Sequence, residues 1–288
     1  MGRASTKSPG PSLAPLALIR ALRHLLRPLV RLLLAHRITH PFLSNLLKRV
    51  YVEVAEAELA GSSRPPTISQ LSLLTGIHRK DVRRLREEPR DEYVPPPSVS
   101  LGARLVAQWM GSRPYCDARG RPRPLPRSGG TPREPSLEQL VASVSTDIRP
   151  RAVLDEWLRL GVVEIDERER VRLVVEAFVP EKGFEEKAHY FGRNLHDHIA
   201  AGTHNLSGGR PPLLERSVYY GGLGEDSVQQ LAELAERLGM QALRTVNRRA
   251  LALQRRDAAK TSTSRRMSFG IYFFHERESD TPREPADD

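Results

Sequence analysis

The stretch Thr67–Glu87, TISQLSLLTGIHRKDVRRLRE, constrains the fold of this chain more than any other. It predicts two short amphipathic helices joined by a tight turn. Gly76 supplies the residue that can take a positive φ at that turn, and Ser72 leaves room where a second helix would cross the first. Leu71, Ile77, Val82 and Leu85 fall where such helices bury each other. The second helix is then left with His78, Arg79, Lys80, Arg83, Arg84 and Arg86 on its outer side. That is the arrangement of a helix-turn-helix whose recognition helix enters the major groove of double-stranded DNA. Arg79 and Lys80 near its start are candidates for base edges, and Arg83, Arg84 and Arg86 for phosphates or bases. Ser69 and Gln70, at the start of the first helix, complete this candidate set. The competing reading is a solvated basic helix in a purely structural bundle.

The charge distribution favours a polyanion. Of 45 basic residues only six are lysine, and the formal net charge is +10. Arginine binds phosphate and base edges bidentately, which suits nucleic-acid work, although a GC-rich genome produces the same bias. Residues 1–100 carry 16 Lys/Arg against 8 Asp/Glu, whereas residues 181–288 carry 16 of each. The excess therefore sits around the helix-turn-helix. The single cysteine, Cys116, excludes an intramolecular disulfide framework and cysteine-based zinc fingers, and fits a reducing cytoplasm. The most apolar stretch, Leu13 to Ala35, is broken by Arg20, Arg23, Arg27 and Arg31. It can neither span a bilayer nor serve as the apolar part of a signal peptide.

The remaining organisation follows from periodicity. Residues 1–12 read as a disordered tail. A helix is expected over Leu16–His36, with Pro28 kinking it or dividing it in two. A second is expected over Pro41–Leu59, with Phe42, Leu46, Leu47, Val50, Val54 and Leu59 as its buried face. These helices and the helix-turn-helix make a helical domain over 13–95, closed by a proline-rich linker at 89–98. A winged-helix-like domain follows over 99–180. It comprises a helix at Gly102–Met110, an irregular, flexible basic loop at 112–135, and a Ser136-capped helix to Ser143. A further helix from Asp147 or Ile148 to Leu160 follows, then strands Val162–Asp166 and Val171–Val175. Arg149 and Arg151 near the start of that helix, and Arg168 and Arg170 at the hairpin tip, are its candidate DNA contacts. Acidic Asp155 and Glu156 argue instead for a packing or dimerisation role. The third domain, 181–277, is expected to be α+β. It has helices at Phe184–Ala201 and Asp226–Asp257, the latter opened by an Asp226/Gln229 capping box. Its strands are expected at 217–221 and 266–274. A disordered tail at 278–288 closes the chain.

Catalysis and metal binding have little support. His189, His196, His198 and His204 lack the i,i+4 pairing that a metal site on a helix wants, being seven and two apart along the first three. Gly221–Gly224 does not form a dinucleotide or P-loop pattern. No serine sits in a nucleophile elbow, and no histidine neighbours Cys116. The expectation is a protein that is not an enzyme and needs no cofactor or metal.

Four segments carry a family resemblance: Leu22–Leu34 (LRHLLRPLVRLLL), Leu47–Ala55 (LKRVYVEVA), Leu71–Val82 (LSLLTGIHRKDV) and Val144–Leu154 (VSTDIRPRAVL). The chain resembles an uncharacterised bacterial family, a domain of unknown function, over residues 16–275. Residues 68–87 and, more faintly, 102–179 are similar to helix-turn-helix and winged-helix regulators. That likeness implies a DNA-binding transcriptional regulator. The fold expected is mostly α, with an N-terminal helical bundle, a winged-helix-like domain and a C-terminal α+β domain. The C-terminal domain is expected to form a homodimer through Val218, Tyr219, Ile271, Tyr272 and Phe273 or to bind a partner. The alternative function is a non-catalytic protein-interaction or membrane-surface scaffold, without integral membrane association.

Overall fold

The computed structural model describes residues 13–60, 65–89, 97–174, 183–258 and 265–277, with side chains from Leu16 and, after the gap at 90–96, from Leu101. The expected disordered tails, the 61–64 break and most of the 89–98 linker lie outside these residues. The chain is mostly helical and divides into two compact units, Met1–Tyr93 and Val94–Asp288.

The first unit holds α1 (Leu13–Ala35), α2 (His40–Leu59), α3 (Ile68–Thr75) and α4 (Arg79–Glu87). Pro28 lies inside α1 without dividing it, so of the two alternatives expected there, a kink or two abutting helices, the division does not occur. The core is Val52 and Ala55 of α2 with Leu71, Ile77, Val82 and Leu85, and Leu59 and Ile68 close its edge. The four apolar positions around Gly76 are therefore buried as the spacing predicts. α3 opens on a capping box. The Gln70 N–H donates to Thr67 Oγ1 at 3.3 Å, and the Thr67 N–H donates to Gln70 Oε1 at 2.9 Å. It ends at Gly76, which is left-handed at φ +71. Ser72 Oγ donates to the Ile77 carbonyl at 2.7 Å and ties the turn back onto α3.

A Cβ at Gly76 would meet nothing within 4 Å, so the requirement for glycine is the backbone angle alone. Gly76→Ala should cost about 1–2 kcal/mol, the left-handed penalty, measured as a lowered urea midpoint with the m-value unchanged.

α2 corrects one expectation. Phe42, Leu46, Leu47, Val50 and Val54 are exposed, and Val52 and Ala55 face the core instead. The reason is charge. The inward side of α2 also carries Lys48, Arg49 and Glu56. These pair with Asp81 (2.8 Å), Glu88 and Arg86 (2.7 Å) of the α4 segment. Complementary ions and a narrow apolar strip seat α2 on α4, and the wider apolar stripe is left outside.

The second unit is built on α5 (Pro97–Gly111), α6 (Leu137–Ala142), α7 (Pro150–Leu160) and the antiparallel pair β1 (Val163–Ile165) and β2 (Val171–Leu173). Its core centres on Leu105, Trp109, Leu125, Leu137, Leu140, Trp157 and Val171. Ser136 and Gln139 form the expected capping box, and Gly161 ends α7 in a left-handed conformation. α5 begins at Pro97, inside the expected linker, and α7 begins at Pro150, after the expected start.

The 112–135 loop is not the flexible segment its composition suggests. A 3-10 turn at Arg113–Tyr115 leads into it, and Tyr115, Cys116 and Leu125 are buried. Leu125 exchanges two backbone hydrogen bonds with Val171 at 2.8 and 2.9 Å. Cys116 Sγ donates to the Trp109 carbonyl at 3.2 Å, and burial pushes its thiol pKa up.

α8 (Phe184–Leu206) and α9 (Glu225–Asp257) complete the unit. The expected Asp226/Gln229 cap is absent, because α9 starts one residue earlier with Gly224 at its N-cap. α9 docks on α5 through Asn247, which donates to the Ala107 carbonyl at 3.1 Å, and Arg255, which donates to Ser112 Oγ at 2.8 Å. The approach is close enough that a Cβ on Gly111 would lie 2.2 Å from Leu251 Cδ1. The strands expected at 217–221 and 266–274 are not formed; both segments lie outside the helices and strands of the described residues.

The 265–277 segment is anchored on α8 by Arg266, whose two terminal nitrogens donate to the Asp197 carboxylate at 2.7 and 2.8 Å. Arg266 first, and then His196, hold the Asp197 carboxyl well below the usual range. A depressed folded-state pKa stabilises at pH values above the ordinary carboxylate pKa of about 3.9, and this contribution is lost as pH falls below it. Asp197→Asn should remove the anchor at neutral pH and speed tryptic cleavage after Arg265 or Arg277, read by mass spectrometry of timed digests.

Candidate nucleic-acid interface

The site is built on the turn that positions α4. Gly76 reverses the chain, and His78 then caps α4, with its Nδ1 accepting from the Lys80 N–H at 3.2 Å. Val82 and Leu85 point inward and fix the rotation of the helix. That rotation divides the candidate cations into two groups.

Arg79, Lys80 and Arg83 are exposed, and among the described residues they form no ion pair. Arg84 and Arg86 are turned back toward the unit. Arg84 donates to Glu88 at 2.6 Å and to Asn45 Oδ1 at 2.7 Å. Arg86 pairs with Glu56 at 2.7 Å and donates to the Pro66 carbonyl at 3.3 Å. The sequence alone placed all of these cations on one outer face. The structure gives Arg84 and Arg86 internal partners and leaves a narrower patch of Arg79, Lys80 and Arg83, with exposed His78 beside it.

Asp81 lies in the first turn of α4. The Lys48 ammonium holds its carboxyl below the ordinary value, so a negative charge persists at the edge of the patch. Ser69 is exposed at the start of α3, whereas the Gln70 amide oxygen is occupied by its cap. Sequence reading missed Asn45, Lys48, Arg49 and Glu56 as the residues that orient α4. Their signal was present as polar positions spaced three, four and seven apart along α2.

The second unit holds the other candidates. Arg149 is the exposed N-cap residue of α7, and Arg151 is exposed two residues on. In the β1–β2 turn the Arg168 and Arg170 N–H groups both donate to Asp166 Oδ1 at 2.9 Å. The Arg170 side chain closes onto Asp166 at 2.8 Å, while that of Arg168 is exposed. Arg127 pairs with Glu169 at the same tip at 2.7 Å.

The histidine-rich stretch of α8 does not converge. His198 meets Glu215 at 3.3 Å, and His204 meets the Pro211 carbonyl at 3.0 Å. Among the described residues no three His, Cys, Asp or Glu side chains are grouped to hold a metal ion. No described helix is long and apolar enough to cross a membrane.

Residues 16–282 match a family described as a family of unknown function, DUF6502. Neither the curated proteins nor the solved structures contain a match.

Proposed function

We propose, for a chain that belongs to the DUF6502 family and takes no stated activity from it, that α4 is a DNA recognition helix and the protein a cytoplasmic transcriptional regulator. The observation that carries this reading is the tight turn at Gly76 between α3 and α4, together with three exposed cations on α4 that form no ion pair among the described residues. A helix of α4's width fits the major groove, where arginine reads guanine bidentately and lysine and arginine hold phosphates.

The second unit supports the same reading. On this reading its order of helix, Leu125 bridge, two helices and hairpin serves as a winged helix, with Arg149, Arg151 and Arg168 as its exposed cations. Regulators of this kind commonly act as symmetric dimers. Val218 and Tyr219 are 84% and 86% exposed, and Tyr272 and Phe274 are 70% and 71% exposed, in segments assigned to no helix or strand. Exposed apolar and aromatic side chains of this kind suit burial against a second copy.

The test is fluorescence anisotropy across a salt series, with random duplex and with the promoter DNA adjoining the protein's own gene. Specific regulation requires a steep negative salt slope and a preference of at least ~10³ for one duplex. A slope without preference would reduce the reading to nonspecific nucleic-acid binding. Absence of binding at low salt would refute it. Light scattering tests the dimer: Val218→Lys with Tyr219→Lys should halve the mass of the species in solution.

A further inference from the structure

We infer that α1 is an interfacial helix that lies on an anionic lipid surface. From Leu13 to Val52 the chain carries seven Lys/Arg and no Asp or Glu. Along α1, with 3.6 residues per turn, Leu18, Leu22, Leu25, Leu26, Leu29 and Leu33 share one side of the helix. Arg20, Arg23, Arg27 and Arg31 form a separate stripe on the opposite side. Among the described residues neither side is closed over, although Leu29 and Leu33 are half-buried. Leu18, Leu22, Leu25 and Leu26 are 41–50% exposed, and no described residue of α1 from Leu16 to Ala35 is fully buried.

The occupant must satisfy both sides of the helix. Duplex DNA would engage the arginines and leave the leucines in water. A second copy of α1 would cover the leucines but bring two acid-free, cationic helices together. A bilayer interface containing anionic lipid does both. The leucines sink into the boundary of the acyl chains, and the arginines reach along their apolar stems to the lipid phosphates. The four arginines also explain why α1 lies on the surface and does not span it. The inference is independent of the DNA-binding reading, because it uses residues outside α3 and α4.

The experiment is flotation of the full chain with vesicles of phosphatidylcholine, with and without phosphatidylglycerol. The chain should float with the anionic vesicles only, and less so at high salt. Arg23→Gln with Arg27→Gln should lower partition by about 30-fold, a factor of about five for each arginine. Leu22→Glu with Leu26→Glu should abolish flotation. Both pairs are on the exposed helix and should leave the duplex affinity and the circular dichroism spectrum unchanged. Failure to float with anionic vesicles, equal flotation with neutral ones, or full flotation of the leucine variant would overturn the inference. So would an arginine variant that loses duplex affinity and keeps flotation, which assigns the stripe to nucleic acid. A leucine variant that dissociates an oligomer in lipid-free solution assigns the face to a second copy and overturns it too.

Discussion

Arg79→Ala should cost about 1–3 kcal/mol on the preferred duplex and relax discrimination at one base pair, if Arg79 reads a base edge. The full expectation concerns the triple variant Arg79→Ala, Lys80→Ala, Arg83→Ala. Among the described residues these three cations form no ion pair, so no described carboxylate is stranded when they are removed. The whole effect should appear in binding. Duplex affinity should fall at least ~100-fold at moderate salt, and the slope of log K against log salt should flatten by about 0.9 for each lost phosphate contact. Thermal unfolding should stay within about 0.5 kcal/mol of the parent.

Arg84→Ala and Arg86→Ala provide the contrast. Each leaves acidic partners behind, Glu88 with Asn45 for Arg84 and Glu56 for Arg86. They should change stability more than base discrimination. Equal loss of affinity on all sequences for Arg79→Ala would make Arg79 a phosphate contact. No loss for the triple variant would remove α4 from the interface.

Trp109→Ala should be the most damaging single substitution in the second unit, at about 3–5 kcal/mol. The side chain is fully buried and stacks on Trp157 with ring centroids 6.2 Å apart. Its Nε1–H donates to the Arg123 carbonyl at 3.0 Å, so it also holds down the 112–135 loop. Removing it opens a cavity and leaves that carbonyl without its donor. Trp109→Phe keeps much of the volume and loses only the hydrogen bond, and should cost about 1–2 kcal/mol. Urea titration followed by Trp157 fluorescence checks both. A loss under about 1 kcal/mol for Trp109→Ala would show that the core closes over the gap.

The α3 and α4 helices and the turn between them were legible because their determinants are local. Gly76 is needed for one backbone angle, and Leu71, Ile77, Val82 and Leu85 repeat at helical spacing within the same short stretch. The Ser136 cap, the α7 stop at Gly161 and the β1–β2 turn were legible for the same reason. Which cations of α4 face outward was not legible. The choice between Arg83 and Arg84 depends on Asn45 and Lys48, nearly forty residues away, and helical periodicity carries no information about them.

The wrong face assigned to α2 has a related cause. A hydrophobic pattern reports which side can be buried, whereas burial also needs a partner. Ion pairs with α4 turned the charged side inward, and no described element covers Phe42, Leu46 and Val54. The 217–221 and 266–274 segments repeat the point for strands. Their β-branched and aromatic residues favour a strand, but a ladder needs a second strand in register. Conversely, Leu125 looked like part of a polar loop and became core, because Val171 supplied both the backbone partner and the apolar contact.

What the sequence by itself determined is the placement of the helices, the turn at Gly76 and a cationic helix behind it. These follow from backbone angles and from periodicities within a few residues. The tertiary structure alone decided which faces are buried, which arginines keep a free charge and which extended segments find a partner. Those outcomes are set by residues that are distant along the chain and adjacent in space.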